Sequence, residues 1–311
     1  MTALAAESGR TGDSGGLKVG RPSFLWSLPA VTYFSIFAIV PLGVVAWLSF
    51  TNWDAIGSPH WVGTANWSAM FADPELIHGL EITLILTVLG VVTQTPISLL
   101  IGVWAAGHQK NRAVLSALYF IPLLMSAASV SIVWATLMNP YFGLPHSLHW
   151  LFGGALFNHG FLMSSPATAI GVLTFVGMWQ WTPFHTLIYQ GGARAIPEVL
   201  YQAAAIDGCG RVGQFFHITL PQLRNTMVTS IVLMIVGGLT TFDSILIISQ
   251  GGPGTSTVSA SYYMYVKAFS SFQFGDASVI AVLLAVVTTI ISLITVRLSG
   301  WDKMRSTQEG I

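Results

Sequence analysis

The stretch Ile196-Pro197-Glu198-Val199-Leu200-Tyr201-Gln202-Ala203-Ala204-Ala205-Ile206-Asp207-Gly208-Cys209-Gly210-Arg211 runs on through Phe215, Phe216, His217, Ile218, Thr219 and Leu220 to Pro221, a polar island between long apolar runs. Pro197 suits a first helical turn, where its missing N–H costs nothing, and Ala203 to Ala205 are the strongest helix formers available. A first short helix is therefore expected from Pro197 to Asp207. Gly208 and Gly210 can take positive φ and stop it, after which Val212, Phe215, Phe216 and Leu220 fall at helical spacing on one face. The pattern reads helix, Gly turn, amphipathic helix. Such a pair has one face to bury and one to present, to a membrane surface or to a partner.

Outward from this island the composition decides the class. The 311 residues are 53% hydrophobic and only 8% charged, too apolar for a soluble domain of that size. A hydrocarbon core of about 30 Å needs roughly 20 apolar helical residues. Phe24 to Phe50, Leu80 to Ala106, Ala113 to Leu137, Ala167 to Gln190, Met227 to Ser249 and Ala277 to Leu298 reach that length. The expected fold is an all-α integral membrane protein with six transmembrane helices, kinked at Pro41, Pro96, Pro122 and Pro183. The apolar run from Phe24 is too long for a signal peptide and lacks a small-residue cleavage site, so it is expected to be a retained span.

Basic residues set the orientation. With the N-terminus inside, eleven of the twelve Lys and Arg residues face the cytosol and only Lys267 lies outside, as the positive-inside bias requires. Both termini are then cytosolic, in a multi-pass membrane chain, and the polar island lies inside between spans four and five. Residues 1–23, rich in Gly, Ser and Ala, read as a disordered cytosolic tail, residues 24–305 as the membrane domain and residues 306–311 as a second tail. Trp53, Trp61, Trp67 and Trp150 fall in outer loops, where an aromatic belt belongs.

Several chemistries are excluded or left without a centre. No basic patch suits nucleic acid. Cys209 is the single cysteine and can form no intrachain disulfide. His60, His78, His146, His149 and His159 lie on or near the outer side, but without helical i, i+4 pairs or acidic companions they make no metal site. There is no Gly-Lys pair anywhere, hence no phosphate-binding loop. Gly-x-Ser-x-Gly occurs only at Gly12 to Gly16 in the Gly- and Ser-rich tail, without the strand–turn–helix setting that such a nucleophile needs, and His-Glu-x-x-His is absent, so a hydrolase or protease has no placed nucleophile or metal motif. In the middles of the spans the ionisable exceptions are His185 and Asp243, each either functional or a plain interhelical hydrogen-bonding group. With no nucleotide site and no chain of buried acids, energy is expected to arrive from another protein.

At this point the island becomes specific. Tyr201-Gln202-Ala203-Ala204-Ala205-Ile206-Asp207-Gly208-Cys209-Gly210, followed eleven residues later by Pro221, resembles the EAA loop of permease subunits of bacterial ABC importers. Ile196-Pro197 before it and Phe215-Phe216-His217-Ile218-Thr219-Leu220-Pro221 after it look like the carbohydrate-uptake branch, of which the maltose transporter is the familiar member. Phe242-Asp243-Ser244-Ile245, then Gln250-Gly251-Gly252-Pro253-Gly254 and Thr255-Ser256-Thr257, resemble the segment closing the fifth span in the first permease of such pairs. The resemblance covers roughly Phe24 to Arg305.

The resemblance implies a heterodimer with a second permease chain, two ATPase subunits that grip one EAA helix from each permease, and an extracytoplasmic sugar-binding protein. ATP and Mg would sit on the ATPase, with no cofactor and no catalytic residue on this chain. It assigns ATPase coupling to Tyr201, Gln202, Ala203, Ala204, Asp207, Gly208 and Arg211 in the loop 192–225. Gln202 stands where the family usually has Glu, which puts the usual charge elsewhere, on Glu198, Arg211 or the partner's loop. The fourth span offers Gln180, Trp181 and Phe184, and the fifth Thr240, Thr241 and Asp243, as the substrate pathway; Gln180, Trp181, Phe184 and Thr241 fall where the family lines its sugar site. Trp181 and Phe184, three apart, share a face. The solute is then a sugar or oligosaccharide. Alternatives are another polyol-type solute such as a glycerol phosphate, or an ion-coupled carrier acting alone. A phosphate would call for Lys or Arg in the pathway, and the spans have none in their middles, which favours a neutral sugar.

Overall fold

The structure is a computed structural model that describes residues 24–107, 118–139, 141–144, 146–147 and 163–298. The tails, His149, Trp150, His159 and the loop bases Lys110 and Arg112 lie outside the described residues. Two units result, Met1–Val44 and Val45–Ile311. In the first, helix α1 (Leu28–Leu48) begins; its 21 residues have a mean hydropathy of 2.0. Pro41 follows a π-helical turn at Ser35–Ile39. A proline ring crowds the carbonyl four residues earlier, and the wider turn makes room for it.

The second unit is built on α2 (Ala65–Phe71), α3 (Pro74–Ala105), α4 (Ile121–Leu124), α5 (Ala127–Leu137), α6 (Pro166–Arg194), α7 (Glu198–Ile206), α8 (Arg211–Gln222), α9 (Arg224–Leu239), α10 (Ala260–Tyr265) and α11 (Phe274–Leu298). A two-residue β-pair joins Thr51–Asn52 to His60–Trp61. Helix starts follow local chemistry. Asp73 accepts from the Glu75 N–H with Pro74 at the first turn, and Ser165 makes a reciprocal capping box with Thr168 ahead of Pro166. These caps start α3 and α6 earlier than hydropathy alone does, because a capped turn can extend a helix past its apolar run.

Helices α3 and α6 lie side by side, pointing the same way. Near their first halves Leu86 packs with Leu173. Near their ends a Cβ added at Gly102 would come within 2.9 Å of the Thr186 carbonyl and 2.7 Å of the Tyr189 Cβ. With lipid tails as apolar as leucine, such close backbone approach rather than hydrophobic sorting holds spans together. Helix α9 completes the group, with Leu223 just before it packing on Leu99 and Tyr189.

Among the described residues three helices are long and apolar enough to cross a membrane: Leu28–Leu48, Pro74–Ala105 and Phe274–Arg297, or four if the bent pair Arg211–Gln222 and Arg224–Leu239, meeting at 67°, counts as one. The other expected spans take different forms. Helix α6 is 29 residues long but carries Gln180, His185 and several Thr and Gly. Its Pro183, like Pro96 in α3, sits inside an unbroken helix. The third expected span is interrupted: Met125 and Ser126 are extended, Pro122 opens the short α4, and Ser126 caps α5 on the Ser129 N–H. The fifth is interrupted between Leu239 and Asp243 and resumes towards a π-helical turn, Ile245–Ser249.

The polar island is corrected in two details. Gly208 has φ +76°, whereas Gly210 has φ −71° and acts as the N-cap of α8. The expected single apolar face of α8 is split. Phe215 and Leu220 pack towards Leu99, Tyr189 and Leu223, while Val212 and Phe216 are exposed. A π-helical turn at Phe215–Thr219 adds a residue to the turn and shifts the register that a 3.6-residue period assumes.

Candidate functional site

Both interrupted helical stretches break at one cavity of about 440 Å³. Its walls are α3 (Leu86, Thr87, Gly90, Gln94), α6 (Leu173 to His185), the first residue of α5 (Ala127), α9 (Leu233 to Gly238) and the break itself, Thr240 to Ser244. Helices can stop inside a bilayer only where the freed backbone groups meet protein or a polar cavity. Here the breaks are stitched locally: Thr240 Oγ1 donates to the Val236 carbonyl at 2.9 Å and Thr241 Oγ1 to the Gly237 carbonyl at 3.1 Å. Their hydroxyl protons are therefore spent on the end of α9, and the lone pairs remain as acceptors.

All six residues expected along the substrate pathway line this cavity: Gln180, Trp181, Phe184, Thr240, Thr241 and Asp243. Trp181 and Phe184 are 46% and 37% exposed, whereas Gln180 is 4% exposed. Asp243 is exposed and makes no ion pair among the described residues. His185, also 4% exposed, lies 3.0 Å through Nδ1 from Ser230 Oγ of α9. Among the described residues neither Lys nor Arg lines the cavity. Sequence reasoning took nothing from the second span, yet Thr87, Gly90 and Gln94 form one wall. The available signal was Gln94, a long polar side chain inside an apolar run, which is rare unless it faces a cavity or a partner.

The residues expected to couple to an ATPase gather on a second surface. Helix α7 ends in a motif that ties off its last carbonyls: the Gly208 N–H donates to Ala205 O at 3.1 Å and the Cys209 N–H to Ala204 O at 2.8 Å. This is the Schellman pattern, which needs a left-handed residue where Gly208 stands. Tyr201 anchors the helix, its hydroxyl 2.9 Å from Thr219 Oγ1, a buried group of α8. Gln214 Nε2 donates to the Cys209 carbonyl at 3.1 Å and fixes the turn between the two helices. Gln202, Ala203, Asp207, Gly208 and Arg211 are exposed and Ala204 is half-buried. Beside them Ile206, Val212 and Val199 are 86%, 73% and 63% exposed.

A helical membrane chain whose helices break around a cavity with a few placed polar groups, with a capped helix pair displayed at one side, has the architecture of a transport permease. The chain belongs to the family of inner membrane components of binding-protein-dependent transport systems, whose pattern matches residues 98–301. It is thus a transport component of a membrane, not an enzyme. It is 30% identical over 90% of its length to a probable ABC transporter permease of Bacillus subtilis, YesP, of which 91% is covered. It is 29% identical to the multiple sugar-binding transport system permease MsmF of Streptococcus mutans, covering 85% of this chain and 90% of that one. A crystal structure of a bacterial alginate ABC transporter, in complex with an alginate pentasaccharide-bound periplasmic protein, shares the fold with a TM-score of 0.76 at 20% identity, over 89% of this chain and 93% of that chain.

Proposed function

We propose that this chain is the permease subunit of an ATP-driven importer that passes a neutral sugar or oligosaccharide, received from an extracytoplasmic binding protein. The carrying observation is the cavity, where aromatic faces (Trp181, Phe184), an amide (Gln180), hydroxyls (Thr240, Thr241) and one carboxylate (Asp243) converge with no cationic side chain. That is the chemistry of sugar recognition, apolar area with a few placed polar groups. It suits neither a phosphate nor a uronic acid, which would call for Arg or Lys. The names of relatives support the solute class: MsmF is a multiple sugar-binding system permease, and MalF of Thermococcus litoralis is a trehalose/maltose system permease, 29% identical over 81% of this chain.

The remaining assignments belong to the same proposal. Six spans cross the membrane, two of them interrupted at the cavity, with both termini in the cytosol. The chain pairs with a second permease, and the exposed face of α7 and α8, including Gln202, Ala203, Asp207, Gly208 and Arg211 with Ile206 and Val212, docks one of two ATPase subunits that carry ATP and Mg. The apolar exposure of Ile206 and Val212 supplies the contact area, so the missing charge at Gln202 need not weaken docking.

The test is reconstitution of the complex co-purified with this chain, in proteoliposomes supplied with ATP, binding protein and radiolabelled neutral disaccharides. ATP-dependent accumulation is expected, and none with the purified chain alone under a proton or sodium gradient; gradient-driven uptake by the lone chain would overturn the proposal. Trp181→Ala should raise the KM for uptake about tenfold, the loss of roughly 1.4 kcal/mol of stacking and burial, with assembly retained. Unchanged kinetics would remove Trp181 from the sugar path.

A further inference from the structure

We infer that Gln94 and His185, the latter held by Ser230, are hydroxyl-reading groups of the cavity that set which neutral sugar passes; this rests on the sugar reading above. Helices α3 and α6 run in the same direction, and Gln94 and His185 are the last residue that each contributes to the lining. With Leu86 beside Leu173 and Gly102 beside Thr186 and Tyr189, Gln94 lies level with Gln180 and Trp181, and His185 follows about one helical turn further along α6. The Gln94 Oε1 atom is buried and accepts no hydrogen bond. A buried amide oxygen left without a donor is a standing cost unless something that enters the site donates to it. His185 is 4% exposed and Ser230 is fully buried. Their 3.0 Å contact engages Nδ1, fixes the ring plane, and leaves Nε2 for the occupant of the cavity. Gln180, 4% exposed and without a side-chain hydrogen bond among the described residues, adds an amide that can both donate and accept.

These groups offer paired donors and acceptors and no charge. Adjacent hydroxyls of a neutral sugar ring match them, with the ring faces on Trp181 and Phe184. A site built to bond a hydroxyl discriminates strongly against the analogue lacking it, because its own buried polar groups are then stranded. The inference therefore concerns selectivity as well as affinity.

The experiment uses the reconstituted complex with radiolabelled maltose, trehalose, cellobiose and raffinose, then the monodeoxy derivatives of whichever is taken up. Wild type is expected to transport at least one monodeoxy derivative tenfold or more less efficiently than its parent. In Gln94→Leu, kcat/KM for the parent should fall about tenfold, to the level of that derivative, so that the distinction disappears. Ser230→Ala should raise KM with little change in kcat, and Ser230→Thr should restore it, as a positioning hydroxyl requires. Co-elution of the subunits checks that each variant assembles. An assembled Gln94→Leu complex that keeps the wild-type ratio between parent and deoxy sugars overturns the inference while leaving the sugar reading intact. If wild type takes up none of the four sugars, the sugar reading falls and the inference falls with it.

Discussion

At the scale of the residue, Gly208 sets how the helix pair is displayed. Its φ of +76° lets the Cys209 N–H reach the Ala204 carbonyl, and open space surrounds its α-carbon. Backbone conformation, not crowding, therefore selects glycine here. A β-branched residue in the left-handed region costs about 1–2 kcal/mol, whereas Asn enters it readily. Gly208→Val should expose the Cys209 amide to faster hydrogen exchange by roughly tenfold, and Gly208→Asn should change it little. Equal protection in both variants would show that the turn does not depend on a left-handed residue. Gly210 was legible as a breaker but not as a cap. A glycine's dihedral is fixed by what its neighbours bond to, and sequence alone does not show whether Gln214 reaches back to Cys209.

At the scale of the element, α3 and α6 meet where Gly102 faces Thr186 and Tyr189. A leucine there would drive its Cβ to within 2.7 Å of the Tyr189 Cβ, so the helices must part. Overpacking of this kind costs about 1–3 kcal/mol. Gly102→Leu should lower the thermal midpoint of the detergent-solubilised complex by several degrees, and an unchanged midpoint would mean that the crossing is looser than the geometry gives. The long helices α3 and α11 were legible because their apolar runs are continuous, and α6 because its few polar residues do not break the helical run from Pro166 to Arg194. The breaks at Met125 and at Thr240 to Phe242 were not, because both lie within stretches as apolar as a span. Ser126, Thr240 and Thr241 bond backbone groups of their own helices, but that a break is tolerated there is tertiary, since the backbone groups still left free need a cavity or protein beside them.

At the scale of the whole molecule, the end of α3 that the proposed orientation places outside is clasped to α10 and the turn after it. The Tyr263 hydroxyl donates to Asp73 Oδ2 at 2.6 Å, Lys267 Nζ stands 3.8 Å from the same oxygen, and the Glu75 N–H donates to Oδ1 at 2.9 Å. Burial works to raise the Asp73 carboxyl, but these donors and the Lys267 cation outweigh it and hold the group below its ordinary value; burial and Asp73 together push the Tyr263 phenol up. A depressed carboxyl contributes stability that is present above its unfolded pKa of about 3.9 and is lost as pH falls through the folded value. The clasp should therefore be insensitive to pH from 5 to 8. Asp73→Asn should cost about 1.5–3 kcal/mol at neutral pH and flatten the acid limb of a stability profile. A variant with the same acid limb as wild type would assign that limb to another group.

The sequence by itself determined the class: composition demanded a membrane, the spacing of apolar runs placed the long helices, the Ala-rich island with Gly208 defined the displayed helix pair, and Trp181 with Phe184 marked a shared face. These follow from local rules of helix formation and solvation, which act on neighbours in the chain. Only the tertiary structure decided that two of the expected spans are interrupted, that their breaks meet Gln180, Trp181 and Phe184 at one cavity, and that Gln94 from α3 closes its wall. Those facts depend on helices distant in sequence lying level with one another, and that alignment is set by close contacts such as Gly102 on Tyr189 and His185 on Ser230, which no local pattern encodes.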